Sequence, residues 1–282
     1  MSHSPNAAEF AIIDGGSRPG IDLPNLGFEI QASSWITFLN LQFRNCWTDV
    51  IVLENSSYIS FTGCNFQGGR RVIYPQGPGS YHFLVAKCHW VQDPHDRPTF
   101  SWVEMHHGAQ AYYNGALFHP EGTAGSYVVR VNTIINVFNG FRTSPQAYNQ
   151  DGNGEVYANA FINIADNAIE PEQWAWNLHF YHSTLHNIHK AFSIDEVKGG
   201  PLYIYGNVGT QDTDPNAIEK VSGIWKFKAG PLTSPCYVFN NSFYTEATAF
   251  KDGEATNAHM WHFNNAYQFF DRLHDLGLND WD

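Results

Sequence analysis

Acidic residues recur at matching places in two neighbouring stretches of the chain. Residues 157–172 carry Asp166, Glu170 and Glu172, and residues 181–195 end on Asp195. Taking Phe141, Ile169 and Phe192 as equivalent inward residues places Arg142, Glu170 and Ser193 in one outward row. Ser144, Glu172 and Asp195 then form a second row. On that alignment Glu172 and Asp195 stand about one strand spacing apart, ~5 Å. Two carboxylates so close cannot both ionise freely, so one is held protonated and becomes a general acid. A separation near ~5 Å suits a retaining glycosidase, and ~6.5–9.5 Å an inverting one. Trp174 and Trp176 follow Glu172, with Asp151 and Asp166 nearby, and an indole beside acids gives a sugar ring a stacking surface. The same residues also read as a solvated carboxylate ladder tied by Arg142, with the tryptophans packed under a loop. Lys226, between Trp225 and Phe227, reads either as a lyase base, for which its pKa must fall, or as a surface lysine.

Such rows require elements that repeat. Apolar anchors recur at Phe43, Phe66 and Trp90, then at Ile134, Phe161, Leu185, Val208, Phe243 and Tyr267, mostly 23 or 24 residues apart. The 44-residue step from Trp90 to Ile134 holds residues 92–125, an insertion or one degenerate turn, and the 35-residue step after Val208 holds a smaller one. Between anchors the apolar residues alternate with period two, as in Ile36-Thr-Phe and Tyr237-Val-Phe, which is strand text. Asn, Gly, Asp and Ser sit at the corners. A fixed period of this length marks a solenoid rather than a sandwich. The expected fold is all-β: a single right-handed parallel β-helix of about nine to eleven turns spanning residues 1–282, with aromatic stacks and Asn ladders as internal glue.

The totals narrow the function classes. The chain has 282 residues, 16% aromatic and 15% charged, with a formal net charge of −12. A basic footprint for nucleic acid is absent, and so is a polybasic membrane patch. No apolar run approaches the ~18 residues of a membrane span. Met1-Ser-His-Ser-Pro-Asn lacks the basic and apolar regions of a signal peptide, yet strand-like text starts almost at once, so the expectation is a domain from a longer precursor, secreted or periplasmic. Cys46, Cys64, Cys88 and Cys236 show no metal-binding spacing. Cys64 and Cys88, one repeat apart, read as a buried thiol stack, with a disulfide as the other option. No phosphate-binding glycine loop, nucleophile elbow or Cys-His nucleophile is present.

Gly200-Pro-Leu-Tyr-Ile-Tyr-Gly-Asn, Trp225-Lys-Phe, Tyr237-Val-Phe-Asn-Asn-Ser-Phe and Asp166-Asn-Ala-Ile-Glu170 resemble the bacterial right-handed parallel β-helix repeat family, with the architecture of pectate lyases and polygalacturonases. The resemblance covers roughly residues 30–268 and implies the fold; it does not fix an activity. Asp93-Pro-His95-Asp96 is similar to the catalytic motif of mannuronan C-5-epimerases. That likeness implies His95 as a proton-transfer group and Asp93 as its partner, with Arg97 or Arg142 neutralising a uronate carboxylate. A lyase would add the possibility of a calcium ion. Glu104, His106 and His107 read as a metal site only if a loop turns both imidazoles to one side, and otherwise as histidines lining a cleft. The leading expectation is a carbohydrate-active enzyme hydrolysing a polysaccharide or oligosaccharide. Uronate lyase or epimerase chemistry and a non-catalytic carbohydrate-binding solenoid stand beside it.

Overall fold

The computed structural model describes residues 11–14, 28–46, 48–92, 105–106, 113–171, 173–195, 197–211, 223–226, 232–246, 250–251 and 259–269. Every strand pairing among them is parallel, and each strand pairs with its counterpart one coil away. The molecule is a parallel β-solenoid with three faces. The first face stacks nine strands, from Ser34–Leu39 to Met260–Phe263. The second runs from Ala11–Asp14 through Leu41–Cys46 to Ala266–Phe269. The third begins with Phe28–Gln31, Ile51–Glu54 and Ile73–Gln76 and continues through Phe141–Arg142 and Gly223–Lys226. Two long strands, Ala160–Glu170 and Thr184–Ser193, bend from the second face into the third.

Period-two alternation builds the core. Phe43, Phe66, Trp90, Ile134, Phe161 and Leu185 point inward in one continuous stack. Burying each large apolar side chain contributes roughly 1.5–3 kcal/mol. The anchor expected at Val208 falls one residue away, because Leu185 pairs with Gly209 and Val208 is exposed. Glycine holds the inward slot because a Cβ there would lie 2.5 Å from the Phe243 ring, which fills the space. The 44-residue step is an insertion within one coil: Trp90 pairs directly with Ile134, and Phe83 with Tyr127. Met105 and Tyr113 from that insertion pack on Phe138 and Ala165 in a small second core.

The corner between the first and second faces follows one pattern in every coil but the first, where Leu41 is apolar. A residue with left-handed φ comes first, as at Lys87 (55°), Val131 (58°), Ala158 (53°) and Asn240 (56°). A buried polar residue follows. Asn132 donates through Nδ2 to Asn159 Oδ1 at 2.9 Å, Asn207 to Asn241 at 3.0 Å, and Asn241 to Asn265 at 2.9 Å. These amides satisfy corner groups that would otherwise be buried unpaired. Cys64 and Cys88 begin the same column, and all four cysteines are buried thiols outside any disulfide.

Candidate functional site

The third face carries the residues that the acid rows nominate. Phe141 pairs with Ile169, Ile169 with Phe192, and Phe192 with Trp225, so Arg142, Glu170, Ser193 and Lys226 share one outward row. Arg142 and Glu170 meet across adjacent coils with Nε 3.5 Å from Oε2, and Asn139 Nδ2 donates to the same oxygen at 2.9 Å. Glu170 is only 2% exposed. Asp195 is half-buried, with Lys226 Nζ 3.8 Å from its carboxylate. Lys226 also reaches Asn167 Oδ1 at 3.5 Å. Asp166 is buried beside Phe138, whose carbonyl accepts its amide. His106 is half-buried, its ring 6.2 Å from Phe138. Glu172, His95 and His107 lie outside the described residues, as do Asp93, Arg97 and Glu104.

The tryptophans stand at the neighbouring corner, half-buried rather than open. Trp174 packs on Tyr148 at 4.1 Å, with the Lys198 ammonium 5.4 Å from its ring. Asp151, expected to face a ligand, is fully buried. Its carboxylate accepts bonds from the Gly122 amide at 3.1 Å, the Thr123 amide at 2.7 Å and the Thr123 hydroxyl at 2.6 Å. These donors fasten the turn at Gly122–Thr123, and the Ser144 backbone adds a further bond. Burial nevertheless raises its pKa to about 6 against the pull of Thr123 and Gly122. Among the described residues no cluster of three or more His, Cys, Asp or Glu could hold a metal ion.

The first face is different in kind. Its outward residues form two rows along the coil axis, and toward the C-terminal end both are aromatic. One row runs Tyr157, Tyr181, Tyr205, Phe239, Phe263, with ring centroids 4.7, 4.8, 4.8 and 5.0 Å apart and ring planes within 12° of parallel. The other runs His179, Tyr203, Tyr237, Trp261. Centroid spacings near the strand spacing mean that the rings cover one another's faces. Edges and hydroxyls are what they offer to solvent. Burial and the Glu155 charge push the Tyr181 phenol up to about 12, so it stays a donor at neutral pH.

Toward the N-terminal end the same face opens into a groove of about 540 Å³. Its floor is Thr37, Ser60, Leu84 and Val128, and Glu155 closes one end. Its wall is a corner column: Trp35, Tyr58, His82, Ser126 and Asn153, all at left-handed φ between 53° and 65°. Trp35 stacks on Tyr58 at 4.1 Å and 7°, and is itself 76% exposed. His82 Nδ1 lies 2.6 Å from Ser126 Oγ. Asparagine suits such a corner, as at Asn153 and Asn177. A bulky aromatic there is an outlier, and backbone strain of this kind costs of order 1–3 kcal/mol. Trp35 gains no core packing in return.

Sequence reasoning missed this face because Leu202-Tyr-Ile-Tyr and Cys236-Tyr-Val-Phe are apolar at every position, so the outward rings pass for core. The usable signal is the split within the alternation, aliphatic residues inward and aromatic residues outward, kept in register over successive coils.

No protein-family model matches the chain, and no curated protein matches it. Among solved structures it is similar to the Dettilon tailspike protein, at 11% sequence identity and a TM-score of 0.37, over 86% of this chain and 61% of that one. The chain thus spans less than two thirds of that protein's length.

Proposed function

We propose that the chain binds an extended polysaccharide along its first face, seated in the groove between the Trp35–Tyr58 wall and Glu155. The observation that carries this reading is the strained, exposed, stacked aromatic pair at corners where small polar residues would serve the fold better. An open indole face with hydroxyls and an imidazole beside it is suited to a sugar ring, which needs stacking and short polar contacts together. The net charge of −12 and Glu155 inside the groove favour a neutral glycan over a polyanion. Native gels cast with neutral, amino and uronate polysaccharides test the reading. Retardation is expected in the neutral series, and Trp35→Ala should weaken it roughly tenfold, the equivalent of ~1.4 kcal/mol. Equal mobility of wild type in every gel would refute it.

A second reading, cleavage of the bound glycan, places Glu172 and Asp195 as the acid pair. It is favoured by the strand pairing: Asp195 stands three residues past Phe192, as Glu172 does past Ile169, and those two residues pair. Glu170, Asp166 and Arg142 would then position or tune the pair, and His95 with an arginine remains the alternative for elimination or epimerisation. New reducing ends released by wild type and reduced ~10²–10⁴-fold in Glu172→Gln are the expected outcome; a fully active Glu172→Gln protein rejects the acid pair.

A further inference from the structure

Away from the groove, at the Ser144 end of the second outward row, the third face sets a hydroxyl against a base. His119 follows Phe118 on the coil that carries the long insertion, and Ser144 lies just past Phe141–Arg142 on the next coil. The bridge Phe118↔Phe141 aligns the two coils, and the Ser144 amide donates to the Pro120 carbonyl at 3.0 Å. That backbone bond holds Ser144 Oγ 2.9 Å from His119 Nε2, within the reach a general base needs. The ring is 5% exposed and Ser144 is half-buried, so the hydroxyl is the end that a ligand can approach.

The surroundings keep the imidazole in its neutral form, the form in which a base begins. Tyr74 meets the imidazole edge-on at 5.6 Å, and Arg71 lies 3.5 Å over the Tyr74 ring. Burial first, then the charges of Arg142, Arg71 and Arg70, hold the His119 pKa well below the ordinary histidine value, so the ring is neutral. The nearby acids are engaged elsewhere: Asp49 with Arg70 and Arg71, Glu121 with Tyr74 and Arg71, Glu170 with Arg142, and Asp151 with Gly122, Thr123 and the Ser144 backbone. His119 Nδ1 is buried without a hydrogen-bond partner. A buried polar atom left so costs ~1–3 kcal/mol.

We propose that Ser144 and His119 form a nucleophile–base pair that hydrolyses short acyl esters. Ser144 Oγ attacks the ester carbonyl while His119 Nε2 takes the hydroxyl proton. The acyl–oxygen bond to the alcohol breaks, and the imidazolium returns that proton to the departing oxygen. Water then attacks the acyl-serine, giving its proton to Nε2. The bond to Ser144 breaks, Oγ recovers the proton, and the carboxylic acid leaves. Arg142 and Arg71, whose charges reach His119 although each is paired with an acid, are the nearest source of positive charge for the carbonyl oxygen. No carboxylate orients Nδ1, a contribution worth roughly 10⁴-fold in a full triad, so turnover is slow. An O-acyl group on a bound glycan is a natural substrate, an extension that rests on the glycan-binding reading; the ester chemistry itself does not.

The test is hydrolysis of p-nitrophenyl acetate by the full chain, with mass mapping of quenched protein. Wild type should exceed both Ser144→Ala and His119→Gln by ~10²-fold or more, with the acetyl group on the Ser144 peptide. The rate should persist as pH falls below ~6.5, where an ordinary histidine would protonate and lose base activity. Because His119 is buried, its variant can lose its fold, so Ser144→Ala is the deciding variant once its melting matches wild type. A Ser144→Ala protein as fast as wild type, or an acetyl group on another residue, overturns the proposal. The assay contains no glycan, so failure of glycan binding is read separately.

Discussion

The first and third faces share one backbone geometry and use it in opposite ways. Equivalent outward positions on both stack at the strand spacing, so each coil adds one residue to a row. On the third face the rows hold charges, which pair off: Arg142 with Glu170, Lys226 with Asp195, Arg70 and Arg71 with Asp49. Toward the C-terminal end of the first face the rows hold rings, which stack, and the N-terminal end holds Trp35 and Tyr58 facing solvent. Repetition satisfies charged groups by giving each a partner one coil away. An aromatic row is satisfied on its ring faces only, and its outer surface stays open to a ligand.

The largest effect that would break this contrast lies on the third face. Replacing Glu170 with Ala leaves Arg142 facing the site of a lost carboxylate, and removing one member of a buried pair costs about 3–5 kcal/mol. Denaturant melts should show that loss, while glycan retardation of the folded fraction stays unchanged. A Glu170→Ala protein of wild-type stability would mean that the pair is not structural.

A smaller effect concerns Asp151. Its folded pKa of about 6 stands above the ordinary carboxylate value. Between those two values the folded chain keeps a proton that the unfolded chain has released. This group therefore adds stability below about pH 4 and loses it as pH rises through about 6, by at most about 3 kcal/mol. Across that window wild type should lose stability relative to Asp151→Asn as pH rises, by up to about 3 kcal/mol in denaturant melts. Parallel curves would show that Thr123 and Gly122 hold the carboxylate at its ordinary value.

Much of the fold is readable from spacing alone. The inward stack from Phe43 to Leu185 follows the anchors, and Phe141, Ile169 and Phe192 pair as their alignment requires. Val208 misleads because a β-branched apolar residue looks like an anchor, while the slot belongs to Gly209 under the Phe243 ring. The site is less legible. Acids draw the eye as chemistry, but burial decides whether they are available, and Glu170 and Asp151 are both withdrawn from solvent. The His119–Ser144 contact joins residues 25 apart through coil stacking, and no local motif of the nucleophile-elbow kind announces it. Trp35 and Tyr58 are visible as aromatics, but their left-handed corners are not.

Glycan binding at the Trp35 corner is tested most directly by titrating wild type and Trp35→Ala with a neutral oligosaccharide drawn from the retarding polysaccharide, followed by tryptophan fluorescence and calorimetry. Saturable binding to wild type with an altered emission signal is expected, and for Trp35→Ala a Kd weaker by roughly tenfold together with loss of that signal. Equal affinity and an equal spectral change in the two proteins would place the glycan elsewhere on the solenoid and contradict binding at this corner.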